Sequence, residues 1–333
     1  MRGGPIVASP VASVSLDMDN LWSYMKIHGD PEWSSRPSYL DALTPRMLEL
    51  FGAHGLTATV FVVGADAVRD DGARAVGAIA DAGHEVANHS FEHEPWLHRY
   101  ERGRLEEELE RTEAAVQAAG APRPVGFRGP GYSLSPDLVG LLAERGYSYD
   151  ASTLPTWIGP LARAYYFRSA SLTPAQRSER GALFGSASEG LRPVHPYRWK
   201  VDGGGDLLEL PVTTMPLLRV PMHASYLLQL HQSSPRLARA YFDAALRACR
   251  LRGVGPSLLL HPLDLLDARD APRLGFFPGM ALAATEKVGV VARALGAMQR
   301  HFTVVGTGEH ARQLLCRGVA RHRPAGRAGP RAG

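Results

Sequence analysis

The feature that most constrains this chain is the alternation of short apolar runs with amphipathic helical patterns through its first half. Residues 38–54 place Leu40, Leu43, Met47, Leu48 and Phe51 at helical spacing, with Gly55 positioned to end the helix. Residues 57–63 form a β-branched and aromatic run suited to a buried strand. Residues 66–82 read as one helix closed by Gly83, and 85–87 as another short strand. A helix over 101–119, with Leu105, Leu109 and Val116 on one side, and a helix over 136–146 continue the pattern. The many glutamates of the 101–119 helix read as a solvated face. Strands joined through helices must cross over and pair in parallel, so the expected class is α/β, with a sheet that is open or closed into a barrel.

The first strand carries chemistry. In residues 13–20, Val14 and Leu16 alternate with Ser13, Ser15, Asp17 and Asp19, which puts both carboxylates on one face at the strand's C-terminal end. Two acids that close repel unless a cation sits between them or one holds a proton. Metal-assisted acid–base chemistry supplies both conditions. Alone, Asp-x-Asp is equally an ordinary turn or helix cap.

A second stretch sharpens this. His89 and His93 stand four apart after a strand, a spacing that one helical turn would place on one face, suited to a shared metal. The zinc-protease motif His-Glu-x-x-His is excluded, because Asn88 stands where its second histidine would be. Two imidazoles and one carboxylate make a three-ligand site with positions left for water and substrate. Residues 125–132 then run from a short strand into Arg128-Gly-Pro-Gly131-Tyr132, whose glycines let backbone approach a ligand. Residues 147–150 are a strand ending in an acid, 257–260 an apolar strand delivering His261, and 241–251, 287–300 and 308–315 helices, with a strand over 302–305.

Composition removes several classes. Cys249 and Cys316 are the only cysteines and far apart, so neither a disulfide framework nor a thiolate zinc site is indicated. No run approaches the ~20 apolar residues of a membrane span, and residues 1–12 lack the apolar core of a secretory signal. The expected compartment is the cytoplasm. The net charge of +4 is set by six arginines between Arg312 and the end; without them residues 1–311 carry −2. Nucleic acid is not an expected partner. The tail over 316–333, rich in Arg, Pro and Gly, reads as disordered and offers a peripheral membrane contact at most.

Asp17-Met-Asp19, His89-Ser-Phe-Glu-His93, Arg128-Gly-Pro-Gly131, Tyr149-Asp150-Ala-Ser152 and Leu259-Leu-His261-Pro together resemble the five ordered motifs of the polysaccharide deacetylases, also called the NodB-homology domain or carbohydrate esterase family four. The resemblance implies a distorted (β/α)7 barrel over 1–315. It implies one divalent metal on Asp19, His89 and His93. Zinc is the expected cation, and the same donors accept cobalt, nickel or iron. It further implies Asp17 as catalytic base, Arg128 as its partner, Asp150 orienting Arg128, His261 as general acid and the Gly131 N–H as oxyanion donor. Two departures stand out. Met18 separates acids that are adjacent in many members, and glycine fills position 131, where tyrosine is common.

The implied reaction is hydrolysis of a carbon–nitrogen amide, with an N-acetylated carbohydrate or lipid-linked sugar as substrate. Deformylation of a lipid-linked aminosugar or cyclic-amide hydrolysis is the alternative, and a non-catalytic carbohydrate-binding protein the remote one. Residues 154–230, dense in aromatics and prolines, read as an insertion, either a lid over an apolar substrate portion or a subdomain with its own core. Tyr132 and Trp157 are candidate substrate contacts; His195, His223 and His231 are weaker ones.

Overall fold

A computed structural model describes residues 10–159, 187–201, 205–319 and 322–324. Its frame is a run of seven parallel strands in the spatial order β7-β5-β4-β3-β2-β1-β8. These are β1 (Val11–Met18), β2 (Thr59–Val62), β3 (Glu85–Asn88), β4 (Gly126–Phe127), β5 (Tyr149–Asp150), β7 (Asp206–Glu209) and β8 (Ser257–Leu260). The two ends meet without a ladder: Thr213, beyond β7, donates its N–H to Ser257 O at 3.2 Å, and Ser257 N–H donates to Thr213 Oγ1 at 2.7 Å. The α/β fold is therefore a distorted barrel with one loosely stitched seam. β6 (Tyr197–Lys200) pairs antiparallel outside β7, and β9 (Thr303–Gly306) pairs with the first half of β1.

β1 is buried along all eight residues because strands flank it on both edges and helices cover its outer face. That geometry explains its apolar Val11, Val14, Leu16 and Met18. The outer helices are α1 (Leu21–His28), α2 (Leu40–Ala53), α3 (Gly64–Ala67), α4 (Asp70–Asp81), α5 (Arg102–Ala118), α6 (Pro136–Glu144), α7 (Ala224–Ser233), α8 (Pro235–Leu251), α9 (Ala284–His301) and α10 (Thr307–Arg317). None of the helices among the described residues is long and apolar enough to cross a membrane.

Several expectations need correction. The helix expected over 66–82 is two pieces, because Asp66 turns inward and accepts from Asn20 Nδ2 at 2.9 Å and Trp22 Nε1 at 2.7 Å. His89 and His93 lie on a loop rather than a helical turn, with left-handed backbone at Ser90 (φ 61°) and His93 (φ 53°). Two of the α5 glutamates, Glu108 and Glu113, are buried rather than solvated. α1 and α7 were not anticipated. Within the segment read as an insertion, β7 is one of the seven barrel strands. Much of the expected lid, 160–186, lies outside the described residues. So does most of the tail, but His322–Pro324 forms a strand, β10, parallel to β6. β6 is otherwise an edge, and its outer backbone groups need partners.

Candidate active site

The cavity opens at the C-terminal ends of β1, β3, β4 and β8, where parallel barrels collect their functional side chains. It has a volume of about 590 Å3 and is lined at its deep end by Asp17, Asp19, His89, His93, Gly131, Tyr132, His223 and His261. Asp19 Oδ1 lies 3.2 Å from His89 Nε2 and 3.0 Å from His93 Nε2. All three residues are buried and offer donor atoms within 4.8 Å of one another, the one such cluster among the described residues.

The chain fixes this arrangement by several means. His89 follows directly on β3, and its Nδ1 lies 2.6 Å from Arg128 O. A carbonyl can only accept, so Nδ1 carries the proton and Nε2 presents its lone pair to Asp19's side. Asn88 Oδ1 accepts the Ser90 N–H at 2.8 Å, and Glu108 Oε2 accepts those of Phe91 (2.7 Å) and Glu92 (2.9 Å). These bonds hold the left-handed loop that turns His93 back towards Asp19. Tyr39 donates its hydroxyl to Asp19 O at 2.5 Å.

The electrostatics favour a cation. Burial alone would raise Asp19, but His93 and His89 hold its carboxyl well below the usual range. Burial disfavours charge on His89, yet Asp17 and Asp19 raise its pKa above the ordinary value. Two neutral imidazole nitrogens and a carboxylate oxygen suit a divalent transition metal, so the residues present fit the cation the sequence implies.

Asp17 is held from the other side. Arg128, fully buried, donates from one terminal nitrogen to Asp17 Oδ1 at 2.6 Å and to Ser15 Oγ at 2.9 Å, and from Nε to Ala151 O at 3.0 Å. Its guanidinium lies over the Phe61 ring, 4.1 Å from the centroid. The Asp17 Oδ2 atom faces the imidazole cluster, 3.9 Å from His89 Nε2.

The resemblance implied that Asp150 orients Arg128; no direct hydrogen bond or ion pair joins the two among the described residues. Its Oδ1 accepts from Ser152 Oγ at 2.5 Å, and Ser152 Oγ accepts the Gly129 N–H at 2.8 Å. Burial, reinforced by the neighbouring Glu209, pushes the Asp150 pKa well above the carboxylate range. Asp150 thus supports the Arg128–Tyr132 turn through Ser152. That turn needs its glycines: a Cβ on Gly129 would stand 2.0 Å from Ser133 O, and Gly131 has φ 57°.

On the far wall, His261 Nδ1 lies 3.4 Å from Ser225 Oγ, and its backbone N–H donates to Asp264 Oδ2 at 2.8 Å. Burial raises the Asp264 pKa, opposed by His261, Ser225 and Lys287. Sequence reasoning missed Ser225, Asp264 and Glu108. Of these, only Asp264, three residues after His261 with Pro262 between, left a helix-cap signal. His223 joins the site: burial, with His261 and Arg128 nearby, holds its pKa well below the ordinary value, so the ring is neutral. Tyr132 lines the cavity, whereas Trp157 lies outside it, its ring against Gly190. His195 contacts Arg252 O and His231 contacts Glu286, both away from the cavity.

Residues 32–149, which contribute the histidine loop and the Arg128 turn, match the polysaccharide deacetylase family model. Over that stretch the chain is similar to the polysaccharide deacetylases. It is 33% identical over 92 residues to a peptidoglycan deacetylase-like protein of Gibberella zeae, and 30% identical over 100 residues to an uncharacterised protein of Bacillus subtilis. Those matches cover 28% and 30% of this chain, and the chain spans only 26% and 30% of those relatives' length. The deacetylase fold is also that of a Mycobacterium smegmatis protein provisionally named a polysaccharide deacetylase, with TM-score 0.58, 18% identity and 96% coverage of both chains. The PuuE allantoinase gives TM-score 0.52 at 14% identity, covering 92% of this chain and 90% of its own.

Proposed function

We propose that this chain is a metal-dependent amide hydrolase that removes the N-acetyl group from an amino sugar. The observation that carries the reading is the convergence, in one buried cavity, of the Asp19–His89–His93 cluster, the Arg128-held Asp17 and, opposite them, His261. A divalent cation held by Asp19, His89 and His93, with zinc the best fit to the donors, supplies Lewis-acid activation of water and of the amide carbonyl.

The chain's own residues do the rest. Arg128 occupies Oδ1 of Asp17, so Oδ2 is the atom that takes the water's proton. The Gly131 N–H, at the cavity wall, donates to the developing oxyanion. An amine is a poor leaving group unless protonated, and His261 is placed to deliver that proton from Nε2 while Ser225 holds Nδ1. His223, uncharged and buried beside His261, brings no second positive charge to that step.

The test is product analysis by NMR after incubating zinc-loaded protein with N-acetyl- and N-formylglucosamine oligomers. Acetate release by wild type, abolished in Asp17→Asn at unchanged zinc content, supports the reading. Formate without acetate shifts it to a deformylase. Neither product from any substrate, with zinc bound, overturns it.

A further inference from the structure

We propose that the outer arm of the cavity seats a hydrocarbon chain attached to the sugar, so that the substrate is an N-acylated amino sugar with an apolar aglycone rather than a bare polysaccharide. This rests on the hydrolase reading and names its substrate class.

The cavity is chemically two-sided. Its deep end carries the acids and imidazoles described above. Away from them its wall is built mainly from Tyr24 and Ile27 of α1, Leu228 of α7, Leu263, and the loop residues Phe276 and Phe277. Thr156, Tyr226 and Gln229 add polar side chains to the lining. The rings form a continuous surface. Phe277 meets Tyr24 edge-on at 5.4 Å between centroids, His28 at 4.6 Å and Phe276 at 4.9 Å. Phe276, 53% exposed, stands at the mouth. Tyr24 also feels the charges of Asp19, Asp264 and Asp17, so this wall runs directly into the reacting end. A volume near 590 Å3 falls within the ~300–1,000 Å3 of pockets that enclose a whole ligand.

A sugar polymer would present hydroxyls to this wall. Each hydroxyl stripped of water needs a partner, and the wall supplies few. Lys287, at its base, has its ammonium committed to Leu263 O (2.8 Å) and Leu266 O (2.7 Å). His28 Nδ1 lies against Tyr24 O at 3.0 Å. A methylene chain has no such need and gains from contact with two phenylalanines, a leucine pair and Ile27. The arm is continuous with the reacting end, so a substrate with its amide at Asp19, His89 and His93 has this arm open to one of its substituents.

The experiment uses the full chain loaded with zinc and a series of β-alkyl N-acetylglucosaminides, methyl to hexyl. Acetate release gives kcat/KM. Calorimetric titration with the matching alkyl glucosides, which carry no amide, gives Kd independently of turnover. Both should improve by about fourfold per added methylene until the arm is filled, the value of one buried CH2. Phe276→Ser, at an exposed site that should leave folding intact, should flatten the dependence of both kcat/KM and Kd on chain length. Acetate release and Kd that are both independent of chain length overturn the proposal and leave the hydrolase reading standing. Chain-length-dependent Kd with no acetate from any member supports the apolar arm and removes the hydrolase reading instead.

Discussion

Replacing Glu108 with alanine should disturb the loop that brings His93 to Asp19 without touching either residue. Glu108 Oε2 accepts the N–H groups of Phe91 at 2.7 Å and Glu92 at 2.9 Å from inside a buried site. Hydrogen bonds to a charged acceptor contribute roughly 1.5–3 kcal/mol each. The Glu92 amide is only partly buried and water can replace one of the two, so the expected loss is about 1.5–3 kcal/mol. Those bonds offset the cost of the left-handed backbone at Ser90 and His93, about 1–2 kcal/mol per residue. Without Glu108 the loop relaxes and His93 Nε2 leaves its place 3.0 Å from Asp19. Zinc affinity should then fall at least tenfold, within the ~10–100-fold range for residues that orient metal ligands. Chelator competition measures the affinity, and urea unfolding in chelator measures the stability of the metal-free chain. Glu108→Gln, which keeps an acceptor oxygen, should fall between. Wild-type zinc affinity in a folded Glu108→Ala protein would refute the reasoning.

Other expectations follow from the same contacts. Burial pushes the Asp66 pKa from 3.8 up to about 6, despite its bonds to Asn20 and Trp22. Its contribution is thus present below pH ~4 and lost as pH rises towards 6, a swing of about 3 kcal/mol. Urea unfolding at pH 4.5 and 7 should show this fall in wild type and a flatter profile in Asp66→Asn; parallel profiles would contradict it. Arg128→Gln leaves Asp17 buried without its guanidinium, and loss of one partner of a buried pair costs about 3–5 kcal/mol. A thermal midpoint equal to wild type would show the pair to be dispensable. Asp264→Asn should preserve zinc content while lowering kcat and displacing the alkaline limb of its pH profile, which a general acid sets; an unaltered profile would remove Asp264 from the support of His261.

The parts of this molecule legible in its sequence are those set by periodicity and by residue chemistry. β8 was readable to the residue because Ser257–Leu260 is apolar and bounded by Pro256 and His261. A cluster of one carboxylate and two imidazoles was readable from Asp-x-Asp and His-x-x-x-His, whereas the choice of Asp19 rested on the family resemblance. α1 was missed because two turns give too short a pattern, although Asn20 caps it and Gly29 (φ 83°) closes it. The loop at His93 was misread because an i, i+4 spacing does not reveal left-handed backbone. Glu108 and Glu113 were misassigned for a tertiary reason: their partners, Phe91 and Glu92 for one, Arg123 and Arg145 for the other, come from outside their helix. That Asp150 reaches the Arg128 turn through Ser152 was not readable, because it depends on how β4 and β5 pair.

The central claim is that Asp19, His89 and His93 hold a metal that the reaction uses. It is tested most directly by elemental analysis of wild type beside Asp19→Ala and His93→Ala, after equilibration with zinc and gel filtration, with circular dichroism to confirm folding. About one zinc per chain in wild type, and none in either folded variant, is the predicted result. Stoichiometric zinc retained in both variants, or none in wild type, would contradict it.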